Sequence, residues 1–291
     1  FSSGYVAGED VLAFTDANGI TGSWNSETGV LTLEGSATKA AYASALENAT
    51  YQNTNSDNPN TNSRVIVARV NDGTASSNGE AALSIVVSAV NDAPVIVGAG
   101  GTLSFTEDGA AAIIDNSLIL SDVDDTNIEG ATITISSGYV ASEDVLAFTA
   151  SSGVTGSWDS SSGVLSLTGS ATKAVYEAAL ETVTYRNTNS DDPNTSNRTV
   201  TWTVNDGSVN SSAASSTVTI TADNSAPVIE GAGGELFFIE DGAATVVDND
   251  IALTDIDDTN VEGATITISS GYVPTEDVLA FANAGGISGS W

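Results

Sequence analysis

Cysteine, histidine and methionine are absent from all 291 residues. Without cysteine there is no disulfide to staple a small domain and no thiolate nucleophile. Without histidine the usual neutral-pH general base and the commonest transition-metal ligand are both missing. Basic residues are almost as scarce: six Lys and Arg stand against 38 Asp and Glu, a formal charge of −32. So negative a chain excludes nucleic acid and anionic membranes as partners. No apolar run approaches the roughly 18 residues that cross a bilayer, and no membrane insertion is expected in this segment. Aromatic residues amount to 6% and charged residues to 15%, while 41% of the chain is hydrophobic. Alternating apolar runs at that content argue against disorder and for a secreted, Thr-rich β protein.

What is present is repetition. SSGYVAGEDVLAF from Ser2, SSGYVASEDVLAF from Ser136 and SSGYVPTEDVLAF from Ser269 each run on to a Gly-Ser-Trp ending at Trp24, Trp158 and Trp291. Trp158 follows Trp24 by 134 residues, and Pro227 follows Pro94 by 133. A period of that length is one domain, able to bury its own core and to meet its neighbours at small junctions. The expected division is 1–94 as the C-terminal part of repeat A, 95–227 as a complete repeat B, and 228–291 as the N-terminal part of repeat C. The expectation is a window on a longer array.

Within repeat B, short apolar runs alternate with turn residues, as in an antiparallel sandwich. RTVTWTV puts Val200, Trp202 and Val204 on one face and threonines on the other. GATITISSG at 130–138, GVLSLTG at 163–169 and STVTITAD at 216–223 are further strands. ATKAVYEAALETV is the one helix, with Val175, Tyr176, Ala179, Leu180 and Val183 at helical spacing and Thr172 as N-cap. Trp24, Trp158 and Trp291 read as core residues in preference to a sugar platform. Glu143 and Asp144 read as a solvated loop.

Three acidic motifs recur: the connector VNDAPVI at 90–96 (DNSAPVI at 223–229), SDVDD at 121–125 (TDIDD at 254–258), and VNDG ending at Gly73 and Gly207. If the last strand runs down to the connector, the hairpin before it lies at the opposite end of the sandwich. Asp206, Asp122 and Asp124 would then meet Asn91 and Asp92 at one junction. Converging oxygen ligands with no His or Cys favour Ca²⁺ over transition metals. The competing reading is that these aspartates only cap turns, which accounts for VNDG better than for SDVDD.

These motifs, together with TED at 106–108, TGVLSLTG and TVTYRNTNSDDPN, resemble the cadherin-like or immunoglobulin-like tandem repeats of giant bacterial adhesins of the RTX type, secreted by type I systems. The resemblance spans the chain. It implies an all-β fold of tandem antiparallel β-sandwiches with one short helix per repeat. It also implies junction calcium held by Asp92 of the connector, Asp122 and Asp124 of the DxD pair, and Asp206 of the hairpin. Glu107 resembles the ligand near a domain's first strand, which puts it at the lower junction with Asp255 and Asp257. There Ser225 replaces Asp92, with Asp223 and Asn224 just upstream, so one or two ions per junction are expected.

The function so implied is a calcium-stiffened extracellular spacer on a bacterial cell surface, serving adhesion or biofilm. Its partners would be neighbouring repeats, other copies in a fibre, and a distant host or surface target reached through domains outside this sequence. Two alternatives stay open: a glycan- or matrix-binding module, and a laterally assembling sheath or biofilm fibre. No enzyme is expected, because near-identical tandem units offer no single cleft for paired carboxylates.

Overall fold

The computed structural model describes residues 1–291. Its contacts divide the chain into one unit of residues 1–222 and another of 223–291. In the first, the central repeat carries a six-stranded sheet ordered Thr155–Asp159, Val164–Thr172, Asn127–Ser137, Arg198–Asn205, Ala214–Thr221, Thr102–Thr106. All its neighbours are antiparallel except the last pair, which is parallel. A three-stranded sheet of Asp144–Ala147, Thr184–Asn187 and Ala112–Ile113 lies in the same repeat. This is the expected all-β class, assembled from the expected strands.

Alternation builds the core. Along Arg198–Asn205, every second residue is buried, so Val200, Trp202 and Val204 join Ile128, Ile133, Leu146, Leu165, Tyr185 and Val218 in one cluster. Trp202 is fully buried, and its Nε1 donates to Ser216 Oγ at 3.0 Å, which donates in turn to Asp115 Oδ2 at 2.7 Å. The buried indole thus keeps its polar handle satisfied. Helix α2, Lys173–Leu180, packs Tyr176, Ala179 and Leu180 inward. Thr172 occupies its N-cap but makes no capping bond, whereas Thr38 Oγ1 accepts from Ala41 N at 3.1 Å before helix α1, Lys39–Glu47.

Two expectations are corrected. Trp158 is only half-buried; it stands edge-on to Tyr139 at 6.1 Å. Tyr139 itself lies over Gly163, where a Cβ would come within 3.0 Å of its ring. Trp24 pairs with Tyr5 and Trp291 with Tyr272 in the same way. In the complete repeat the indole packs against the edge of the core, not within it.

The second correction concerns the Glu-Asp pair. Asp144 is 1% exposed and lies against the fully buried Arg198, whose Nε donates to both carboxylate oxygens at 3.2 and 3.1 Å. Tyr185 Oη adds a bond at 2.6 Å and Val140 N one at 2.7 Å. Arg198 Nη1 also donates to the carbonyls of Asn194 and Ser196, and Nη2 reaches Glu143 at 3.4 Å. A carboxylate enters the interior only when paired and hydrogen-bonded. The arrangement recurs in the first repeat around Arg64, Asp10, Tyr51 and Glu9.

The second unit contains a single strand pairing, Val228–Glu230 with Ala252–Thr254. No helix of the protein is long and apolar enough to cross a membrane.

Candidate metal centre

The connector leaves the first repeat as irregular chain at 86–94 and becomes a strand only at Val95–Val97, which pairs with Ile119–Ser121. That pairing brings the acidic loop at 121–125 beside the connector. Within the loop, Asp122 Oδ1 accepts from the N–H groups of Asp124 and Asp125 at 3.1 and 2.9 Å. Such an Asx turn is what short polar residues do in a tight loop. The connector then closes on it, Asp92 N donating to Asp124 Oδ2 at 3.1 Å. Asn91 Nδ2 donates to Asp206 Oδ2 at 2.9 Å. Residues from the connector, the loop and the hairpin, far apart in sequence, therefore meet, as their motifs predict.

Turn capping occupies only part of these side chains. Asp206 Oδ1 accepts from Ser208 N and Val209 N at 2.6 and 2.8 Å, the duty expected of a hairpin aspartate. But Asp92 Oδ2, Asp122 Oδ2 and Asp124 Oδ1 are each shut away from solvent with no hydrogen-bond donor. Leaving one buried acceptor unmet costs about 1–3 kcal/mol, and more when it is charged. Asp122, Asp124 and Asp125 can also place one oxygen each within 4.8 Å of one another. Burial, then the neighbouring charges of Asp122, Asp124 and Asp206, push the Asp125 carboxyl up, with Lys173 opposing. Asp206 goes the other way: burial raises it, but Asn91 and the two hairpin N–H groups outweigh that and hold it low.

Asp125 was not singled out from the sequence, although it closes the SDVDD motif. The role of Lys173 does not follow from the sequence either, although the residue recurs as Lys39 in the first repeat. At the start of helix α2, its Nζ donates to the carbonyls of Asp122, at 3.0 Å, and Asp125. One turn on, Glu177 Oε1 accepts from Leu120 N at 2.7 Å. Lys173 and Glu177, on one helical face, thus grip both ends of the acidic loop.

In the second unit the pattern repeats with a substitution. Ser225 N donates to Asp257 Oδ2 at 2.7 Å, as Asp92 N does to Asp124, and Asn224 Nδ2 donates to Ser225 O as Asn91 does to Asp92. The main-chain contact is kept and the connector carboxylate is lost. Asp255 Oδ1 accepts from the amides of Asp257 and Asp258, and Asp257 Oδ1 is buried without a donor. Asp255, Asp257 and Asp258 group as their counterparts do. Asp223 Oδ1 accepts from Asn224 N at 3.2 Å. Glu107 belongs to the first unit; it is buried, and its N–H donates to Thr221 O at 2.9 Å.

The donor set is oxygen throughout, with unmet carboxylate oxygens turned inward from connector and loop. It fits a hard cation such as Ca²⁺, which takes 6–8 oxygens at 2.3–2.6 Å.

No family model matches the chain. A 101-residue stretch is 35% identical to halomucin of Haloquadratum walsbyi (strain DSM 16790 / HBSQ001), covering 33% of this chain and 1% of that protein. The chain therefore spans only a minute part of that relative's length. Among solved structures, a protocadherin gammaB7 EC3-6 cis-dimer aligns over 86% of this chain and 52% of its own, with 14% identity and a TM-score of 0.29. A superposition that loose carries no argument about this chain.

Proposed function

We propose that this chain is a stretch of extracellular spacer repeats, of the kind that holds a distant binding domain away from a bacterial cell, with Ca²⁺ stiffening the joints between repeats. The observation that supports this reading is the set of three buried, donorless carboxylate oxygens on Asp92, Asp122 and Asp124, contributed by the connector and by the acidic loop of the repeat that follows it. A bound divalent cation would supply the positive charge these oxygens lack. The chain's own residues do the rest: Asn91 fixes Asp206, Asp92 N fixes Asp124, and Lys173 holds the loop carbonyls in place. The affinity expected of an extracellular module is roughly 10⁻⁴ to 10⁻³ M. Assembly with other copies in a fibre and a role in adhesion or biofilm belong to the same proposal.

The test is small-angle scattering and thermal melting with millimolar calcium and again with EGTA. Chelation should broaden the range of end-to-end distances and lower the melting temperature. Asp124→Asn should behave in calcium as the parent does in EGTA. A parent chain whose scattering and melting ignore chelation would end the calcium reading.

A further inference from the structure

The first repeat reaches the second by a contact separate from the connector. Asn58, exposed at the tip of the loop at 54–60, donates from Nδ2 to the main-chain carbonyl of Val123 at 3.2 Å. That carbonyl lies in the acidic loop, between Asp122 and Asp124.

The loop bearing Asn58 is held rigidly from below. Asn55 Oδ1 accepts from the amides of Asp57 and Asn58 at 3.1 and 3.2 Å, and Asn55 Nδ2 donates to Asn58 O at 2.9 Å. Asn55 Nδ2 also donates to Glu9 Oε1 at 3.2 Å, while Glu9 Oε2 accepts from Asn60 N at 3.0 Å and pairs with Arg64 at 3.4 Å. Arg64 is fully buried against Asp10. An unbroken path of hydrogen bonds therefore runs from the buried Arg64 of one repeat to the acidic loop of the next.

We propose that this loop is a docking finger through which one repeat recognises the acidic loop of the repeat that follows, with Asn58 as the residue that reads it. The chemistry at the tip is specific. A carbonyl flanked by carboxylates takes a neutral N–H donor; a carboxylate at the same place has no N–H to give and adds like charge. In the central repeat the supporting frame is reproduced bond for bond by Asn189, Glu143, Asn194 and Arg198, yet the tip residue there is Asp192. Frame and tip are thus separable, and the tip sets which junction can dock in this way. The finger uses no metal, so the contact persists when cations are removed.

The absence of cysteine allows clean labelling. With spin labels on the full chain at Thr28→Cys and Ser152→Cys, both exposed positions, pulsed dipolar spectroscopy in EGTA reads the spread of inter-repeat distances. In EGTA the parent should keep a resolved docked peak, which calcium then sharpens. Asn58→Ala should broaden it, lowering the ratio of docked to undocked forms by roughly two- to ten-fold, the effect of one neutral hydrogen bond. Asn58→Asp should broaden it further, and Asp57→Ala, next door on the exposed tip, should match the parent. A parent as broad in EGTA as Asn58→Ala, or an Asn58→Asp chain as narrow as the parent, would overturn the finger. If added calcium changes none of these distributions, the calcium reading fails while the finger stands.

Discussion

Replacing Arg198 by methionine would leave the Asp144 carboxylate, 1% exposed, with no counter-ion. Breaking one side of a buried pair costs about 3–5 kcal/mol, so the urea midpoint should fall sharply with little change in slope. Adding Asp144→Leu should recover much of the loss, and Arg198→Lys should not rescue it, because an ammonium cannot reproduce the planar fork that spans Asp144, Glu143 and two carbonyls. A second expectation concerns acid. Burial raises the Glu143 carboxyl, but Asn187, Asn189, Asn194 N and Arg198 outweigh it and hold it below its ordinary range. A carboxyl lowered by folding contributes stability above its unfolded value, about 4.3, and loses it as pH falls through the lower folded value. Acid also relieves the repulsion among the 38 acidic residues, so the measurement is a difference. Glu143→Gln should be less stable than the parent at pH 7, and the gap should close below about pH 4; a constant gap would contradict the assignment. Neither role was legible beforehand. Arg198 lies 54 residues from Asp144, and an exposed-looking Glu-Asp pair between turn residues carries no mark of the guanidinium that the sheets bring to it. That Asp122, Asp124 and Asp206 meet the connector was legible because each recurs in its motif, as Asp255, Asp257 and Asp72; Asp92, replaced by Ser225 in the second connector, stood out through the family resemblance alone.

Helix α2 does more than cover the core. Its buried Tyr176, Ala179 and Leu180 fix it on the sandwich, and that anchorage lets Lys173 and Glu177 hold the loop from Leu120 to Asp125. Lys173→Met should therefore speed hydrogen exchange at the amides of Asp124 and Asp125 while leaving exchange in the strands unchanged, since only the loop loses its support. Equal acceleration throughout would mean the lysine stabilises the whole repeat instead. The elements themselves were plain in the sequence: alternation of period 2 marked Arg198–Asn205 and Ala214–Thr221, and a period near 3.6 marked the helix. What periodicity could not give was neighbourhood. Helix α1, equivalent by repetition, keeps the lysine as Lys39 but carries Ala43 where α2 has Glu177, so repetition announces only half of the grip. Trp158 lies shallower than its Gly-Ser-Trp setting implies, because Tyr139 takes the space over Gly163 and the indole packs beside it at the edge of the core.

A charge of −32 on 291 residues makes the folded protein repel itself. Raising NaCl from about 0.01 to about 1 M shortens the screening length from about 30 to about 3 Å, and the melting temperature should climb across that range. A flat or falling midpoint would show that the carboxylates are already compensated locally. The parallel pairing of Thr102–Thr106 with Ala214–Thr221 bears on how such a repeat resists tension. The two strands run the same way, one near the start of the central repeat and the other near its close. A pull applied to its two ends must slide them past each other and strain all five aligned residue pairs together. Tension on the string therefore meets the sheet in shear, the direction in which hydrogen bonds cannot be peeled apart one at a time.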